Sequence, residues 1–189
     1  MIKISILGRI GSGKSYIANN FGYPVFNADH EVTKLYRKDK KVFQQLSKKL
    51  PKYISIFPID KKEITKAILS NKNNLKKIIN IVHKEIRKKL KLFLKKNKNQ
   101  KIVILDIPLL LENKLNSKDD ILVFVDATTS NIEKNIIKRV NFNRKLYNKF
   151  KKIQFSALYK KNKSHFIIKN NFRKRDAKIE IKNFLSKLL

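Results

Sequence analysis

One segment constrains this chain more than any other: Gly8-Arg9-Ile10-Gly11-Ser12-Gly13-Lys14-Ser15. Residues 2–7 before it alternate and are rich in Ile, which reads as a buried strand. An apolar-periodic stretch after it, to about Phe21, reads as a helix. Glycine in a strand-to-helix turn lets backbone N–H groups converge on phosphate oxygens without Cβ clashes. The helix N-terminus adds partial positive charge at that point. Lys14 can reach terminal phosphates and the Ser15 hydroxyl can ligate Mg²⁺. The plain alternative is a glycine turn that binds nothing.

The rest of the chain alternates in the same way. Residues 24–27 read as a second short strand ending in Ala28-Asp29, and residues 30–50 as one helix stopped by Pro51. Asp60 and Glu63 form a capping signal for a helix near 59–69. Leu75, Ile78, Ile79, Val82, Ile86, Leu90 and Phe93 recur at helical spacing over about 73–97. The runs 102–106 and 121–126 are continuously apolar, as buried parallel strands are. Helical patterns follow over 129–161, a last strand at 165–168 and a closing helix over 173–189. Strands alternating with helices predict an α/β fold of three layers with a parallel sheet. With 189 residues, one domain is expected, carrying a helical insertion at about 59–98.

Charge bounds the partners. Lys and Arg number 46 against 14 Asp and Glu, a formal net charge of +32. Of the 46, however, 39 are Lys and 7 Arg, whereas base recognition favours the Arg fork. Lys, Ile and Asn together make 85 of the 189 residues, and the Lys is spread along the whole chain. That pattern fits compositional bias in adenine- and thymine-rich codons better than a nucleic-acid face, so no specific nucleic acid is expected. The chain has no cysteine, which excludes disulfides, thiolate metal sites and a cysteine nucleophile. Residues 1–7 are too short for a signal peptide, and no apolar run approaches the roughly 20 residues that span a bilayer. A cytoplasmic protein without membrane attachment is expected.

Four further residues stand where chemistry could use them. Asp29, just beyond the second strand, could take a proton from a hydroxyl or cap the next helix. Asp106, ending a buried strand, could hold Mg²⁺ through water or form a turn before Pro108. Glu112 could be a site carboxylate or a solvated helix acid. His83 follows apolar Val82 on the long helix, where a lone histidine is more often structural.

Taken together, the segments resemble the dephospho-CoA kinase family. Residues 8–15 are similar to that family's G-G-I-G-S-G-K-S loop, with Arg9 replacing a Gly. Phe26-Asn27-Ala28-Asp29 resembles its I-D-A-D segment, with Asn27 for the first Asp. Residues 81–87 resemble L-L-H-P-x-I-R, with Lys84 for Pro, and residues 108–112 match P-L-L-x-E. Gln154, Lys160 and residues 165–170 resemble the lid and the strand after it, with Ala157 where the lid commonly has Arg. Tyr16 replaces a usual Thr.

The resemblance implies a P-loop kinase core with a helical substrate-binding region and a small lid, at about 140–163. It implies transfer of the ATP γ-phosphoryl group to the 3′-hydroxyl of dephospho-CoA, giving coenzyme A and ADP. Gly11, Ser12, Gly13, Lys14, Ser15 and Tyr16 would bind the nucleotide, and Ser15 and Asp106 the Mg²⁺. Asp29 would be the base, assisted by Lys14 and Arg139. His83, Arg87, Glu112 and Lys160 would join Asp29 on the acceptor side. Two other readings stay open. One is a P-loop kinase of a different small hydroxyl-bearing or nucleotide acceptor. The other is a basic nucleic-acid-binding protein with a vestigial loop.

Overall fold

The β-branched run before the glycine loop forms β1 (Ile2–Gly8), and the loop opens α1 (Lys14–Asn19). There follow β2 (Val25–Asn27), α2 (Ala28–Lys38), α3 (Lys40–Lys49), α4 (Lys61–Ser70) and α5 (Lys72–Lys96). The remainder is β3 (Ile102–Asp106), β4 (Asp120–Asp126), α6 (Thr129–Ile137), α7 (Arg144–Ile153), α8 (Ala157–Lys163), β5 (Phe166–Lys169) and α9 (Lys174–Leu188). The computed structural model describes residues 1–140 and 142–189. Asn141, inside the expected lid range, lies outside the described residues. No helix among them is long and apolar enough to cross a membrane.

The strands form one parallel sheet in the order β2-β3-β1-β4-β5. Ile4 and Ile6 of β1 share one sheet face with Ile102, Ile104, Val123, Val125 and Ile168. That face is covered by Ile17, Ala18 and Phe21 around α1, and by Ala177, Ile181 and Phe184 of α9. Phe184 meets Phe21 and Phe166 edge-on, at 5.7 and 4.9 Å between centroids. Each such aromatic pair adds about 0.5–1.5 kcal/mol beyond its buried area. α8, the crossover helix into β5, also packs against β1 and β4. The expected three-layer α/β architecture is the one observed.

Two compact units divide the chain, residues 1–27 with 97–189, and residues 28–96. The sheet belongs entirely to the first. In the second, α5 buries Leu75, Ile78, Val82 and Ile86, and packs against α2, α3 and α4.

Two local expectations are corrected. Residues 30–50 are two helices, because Asp39 leaves the helical conformation and its carboxylate accepts the Val42 amide at 3.0 Å, capping α3. Ala28 and Asp29 do not end a strand but open α2. The helical patterns expected over 129–161 are α6, α7 and α8, the last two opened by Asn143 and Ser156, whose side chains accept from the Leu146 and Tyr159 amides. At α3, α7 and α8 a polar cap sets where the helix begins.

Candidate active site

All five strands run in parallel, so their C-terminal ends, from Gly8, Asn27, Asp106 and Asp126 to Lys169, share one edge of the sheet. Ligands of open parallel sheets bind at this edge.

The glycine loop lies there, held in shape by the rest of the first unit. Its carbonyls are bound by donors of the protein itself. Asn135 donates to Gly11 O at 3.2 Å, Asn170 to Ser12 O at 2.9 Å, and the Ile17 amide to Gly13 O at 3.0 Å. Lys14 Nζ donates to Arg9 O at 2.8 Å and Gly8 O at 3.3 Å. Because a trans peptide sets N–H opposite C=O, the amides of Gly13 and Lys14 face away from the donors that hold the carbonyls. Gly11 and Gly13 have φ of 84° and 88°, a region that disfavours side chains. A Cβ at Gly13 would also run into the Asn170 side-chain amide, and one at Gly11 into the Ile136 side chain. Any other residue at either position would be strained and would have to displace a neighbouring side chain.

Beside the loop, Ser15 donates its hydroxyl hydrogen bond to Asp106, and Asn27 Nδ2 donates to Asp106 Oδ2 at 2.7 Å. Asp106 is 2% exposed. Burial raises its carboxyl pKa above the ordinary value, against the opposing pull of Ser15, the Lys14 charge and Asn27. It is therefore no turn-former before Pro108 but a buried acid wired to the loop. Among the described residues, no group of three or more His, Asp or Glu is placed to hold a metal ion. A hydroxyl and one carboxylate suit Mg²⁺, which keeps several waters and takes its other ligands from phosphates.

Arg9 bridges the loop to the segment after β4. Its guanidinium donates to Thr129 Oγ1 at 3.0 Å and to the Ala127 carbonyl. It lines a cavity of about 750 Å³ with Asp126, Ala127, Thr128, Asn170 and Asn171 among the other walls. Tyr16, half exposed on α1, accepts through its carbonyl from Asn20 at 2.8 Å. Arg139 is exposed in the turn after α6.

Glu112 lies in a turn after β3 and not on a solvated helix. Its Oε1 accepts from Lys160 Nζ at 2.7 Å and from the Phe155 amide at 2.8 Å. Their side chains are only 6% and 4% exposed, so these two expected residues are brought together and buried.

The other expected residues sit in the second unit. Asp29 lies inside the first turn of α2, two residues past the end of β2, so it is not an N-cap. A carboxylate there also favours the positive end of the helix dipole. His83 and Arg87 are one turn apart on α5. Burial, then the neighbouring Arg87 charge, lowers the His83 pKa, which keeps its imidazole neutral at neutral pH.

Sequence reasoning gave no role to Asn170, Asn135 or Asn27, which shape the loop and hold Asp106. Asparagine is so abundant in this chain that no single one stood out. Only Asn27 and Asn170 carried a signal, each as part of a segment that resembles the family.

A glycine loop whose carbonyls are held from behind, a lysine folded over it and a hydroxyl wired to a buried acid, on a parallel sheet of this order, define a P-loop kinase. The sequence model of the dephospho-CoA kinase family matches residues 2–176, and the chain belongs to that family. A dephospho-CoA kinase from Wolbachia pipientis wMel is 33% identical over 190 residues, covering 98% of this chain and 97% of its own length. Two solved structures share the fold. TT1252 from Thermus thermophilus superposes with a TM-score of 0.77 at 24% identity, over 100% of this chain and 98% of that one. A dephospho-CoA kinase from Campylobacter jejuni does so with a TM-score of 0.65 at 22% identity, over 98% and 96%.

Proposed function

We propose that this chain transfers the γ-phosphoryl group of ATP to the 3′-hydroxyl of dephospho-CoA, giving coenzyme A and ADP in the cytoplasm. The observation that carries the reading is the Lys14–Ser15–Asp106 constellation at the sheet edge of a family member. Phosphoryl transfer asks little covalent chemistry of a protein and depends on positioning and charge neutralisation. The amides from Gly11 to Ser15, with Tyr16 on the following turn, cradle the phosphates, and the Lys14 ammonium neutralises charge on the transferring group. The cavity beside Arg9, Ala127 and Asn170 is large enough for the nucleoside part of ATP. Ser15 and Asp106 would hold Mg²⁺, which would supply charge neutralisation to the ATP phosphates.

On the acceptor side, Asp29 takes the proton of the ribose hydroxyl as it attacks. His83 and Arg87 present one neutral donor and one cation for the acceptor's phosphates. Arg139 adds a second cation near the transferring group, from the start of a lid over about 140–163.

The test is a coupled assay of ADP release with dephospho-CoA present and absent. Release that needs both dephospho-CoA and Mg²⁺ is expected. Turnover with shikimate, pantothenate or a nucleoside monophosphate, and none with dephospho-CoA, would reassign the acceptor.

A further inference from the structure

α7 has no buried residue, and its chain leaves through Gln154, Phe155 and Ser156 before α8 begins. Gln154 has left the helical conformation (ψ 140°) and Ser156 caps the next helix. The amide between them, that of Phe155, is held by Glu112 Oε1 at 2.8 Å. The same oxygen takes Lys160 Nζ at 2.7 Å, and both charged side chains are almost wholly buried. Glu112 Oε2 is buried with no hydrogen-bond partner. An ion pair so fully removed from water adds little net stability over an apolar pair of similar volume. What it adds here is geometry. One oxygen fixes both the hinge amide and the first turn of α8.

That hinge borders the phosphate loop. Gln154, Phe155, Ser156 and Ala157 line a cavity of about 170 Å³ whose other walls include Arg9 and Ile10. A carboxylate and an ammonium buried on each other have little surface left for an acceptor molecule. We propose that Glu112, fixed by Lys160, is a positioning residue for the nucleotide. It pins the hinge of the segment that walls the loop, and so sets ATP affinity rather than contacting dephospho-CoA. The proposal rests on the kinase reading above.

The test compares Glu112→Gln, Lys160→Met and the apolar double variant Glu112→Leu/Lys160→Met. Equilibrium ATP binding, KM for each substrate and thermal midpoints are measured for each. Glu112→Gln and Lys160→Met should raise the ATP Kd and the ATP KM by about 2- to 30-fold, the range of coupling through packed neighbours. KM for dephospho-CoA should stay within about twofold. The double variant should regain the thermal midpoint yet keep the ATP defect, which separates positioning from folding. A raised KM for dephospho-CoA with unchanged ATP binding would overturn the proposal and make the pair acceptor ligands. Unchanged constants for both substrates would leave it purely structural. If the wild-type protein does not turn over dephospho-CoA, the reaction reading fails, while ATP binding by the variants still decides this one.

Discussion

The loop at residues 8–15 and the helices of residues 28–96 offer their candidate ligands in opposite ways. In the loop, the proposed recognition falls to the backbone, and neighbours in the first unit hold it in one shape. In the helical unit it is a property of side chains displayed on amphipathic helices whose cores are made by other residues. A change in the first region should therefore act through shape and stability together. A change in the second should alter chemistry while leaving the fold alone. The contrast can be broken by experiment.

The largest effect is expected at Asp29. Asp29→Asn keeps the side chain's size but cannot accept the hydroxyl proton, so turnover should fall by about 10²–10⁴. ATP affinity should hardly change, because in the proposed reaction those contacts fall to the loop. If Asp29 only favours the α2 dipole, the variant would lose about 0.3–1 kcal/mol of stability and keep its turnover. Steady-state kinetics beside a denaturation curve separates the two outcomes.

Gly13→Ala should show the other kind of response. The new methyl meets the Asn170 amide, and φ of 88° is strained for alanine. Strain of this kind costs about 1–3 kcal/mol, so the urea midpoint should drop together with ATP affinity. Full stability with lost ATP binding would show that the loop's shape is not set by its neighbours.

The smallest effect concerns pH. The His83 pKa is lowered in the folded protein by burial and by Arg87. The unfolded chain therefore binds the proton more readily, and the contribution of His83 to stability is full above about pH 6.5. It is lost as pH falls through the folded value. Arg87→Leu should move the imidazole titration upward, seen by NMR, and flatten the acid loss of stability. An unmoved titration would leave burial as its sole cause.

The reach of the sequence follows the distance between partners. Gly8 to Ser15 is contiguous, so its spacing displayed the phosphate loop directly. The buried strands 102–106 and 121–126 were legible because a strand covered on both faces is apolar throughout. The break at Asp39 was also local, but the apolar periodicity on either side of it masked a single capping carboxylate. Glu112 could not be read. Its burial depends on Lys160 and Phe155, more than 40 residues on, which no spacing rule connects. Asn170 reaches back 158 positions to Ser12.

The amino-acid order alone thus determined the layered fold, the loop and the family, since the first rests on short-range periodicity, the second on glycine and lysine at fixed offsets, and the third on short contiguous segments along the chain. The tertiary structure decided which carboxylates are wired and which are displayed. Desolvation and hydrogen bonding, the effects that set a charged group's behaviour, depend on neighbours brought together by folding. Asp106 is an acid held by Ser15 and Asn27, Glu112 is the partner of a buried lysine, and Asp29 stands inside a helical turn.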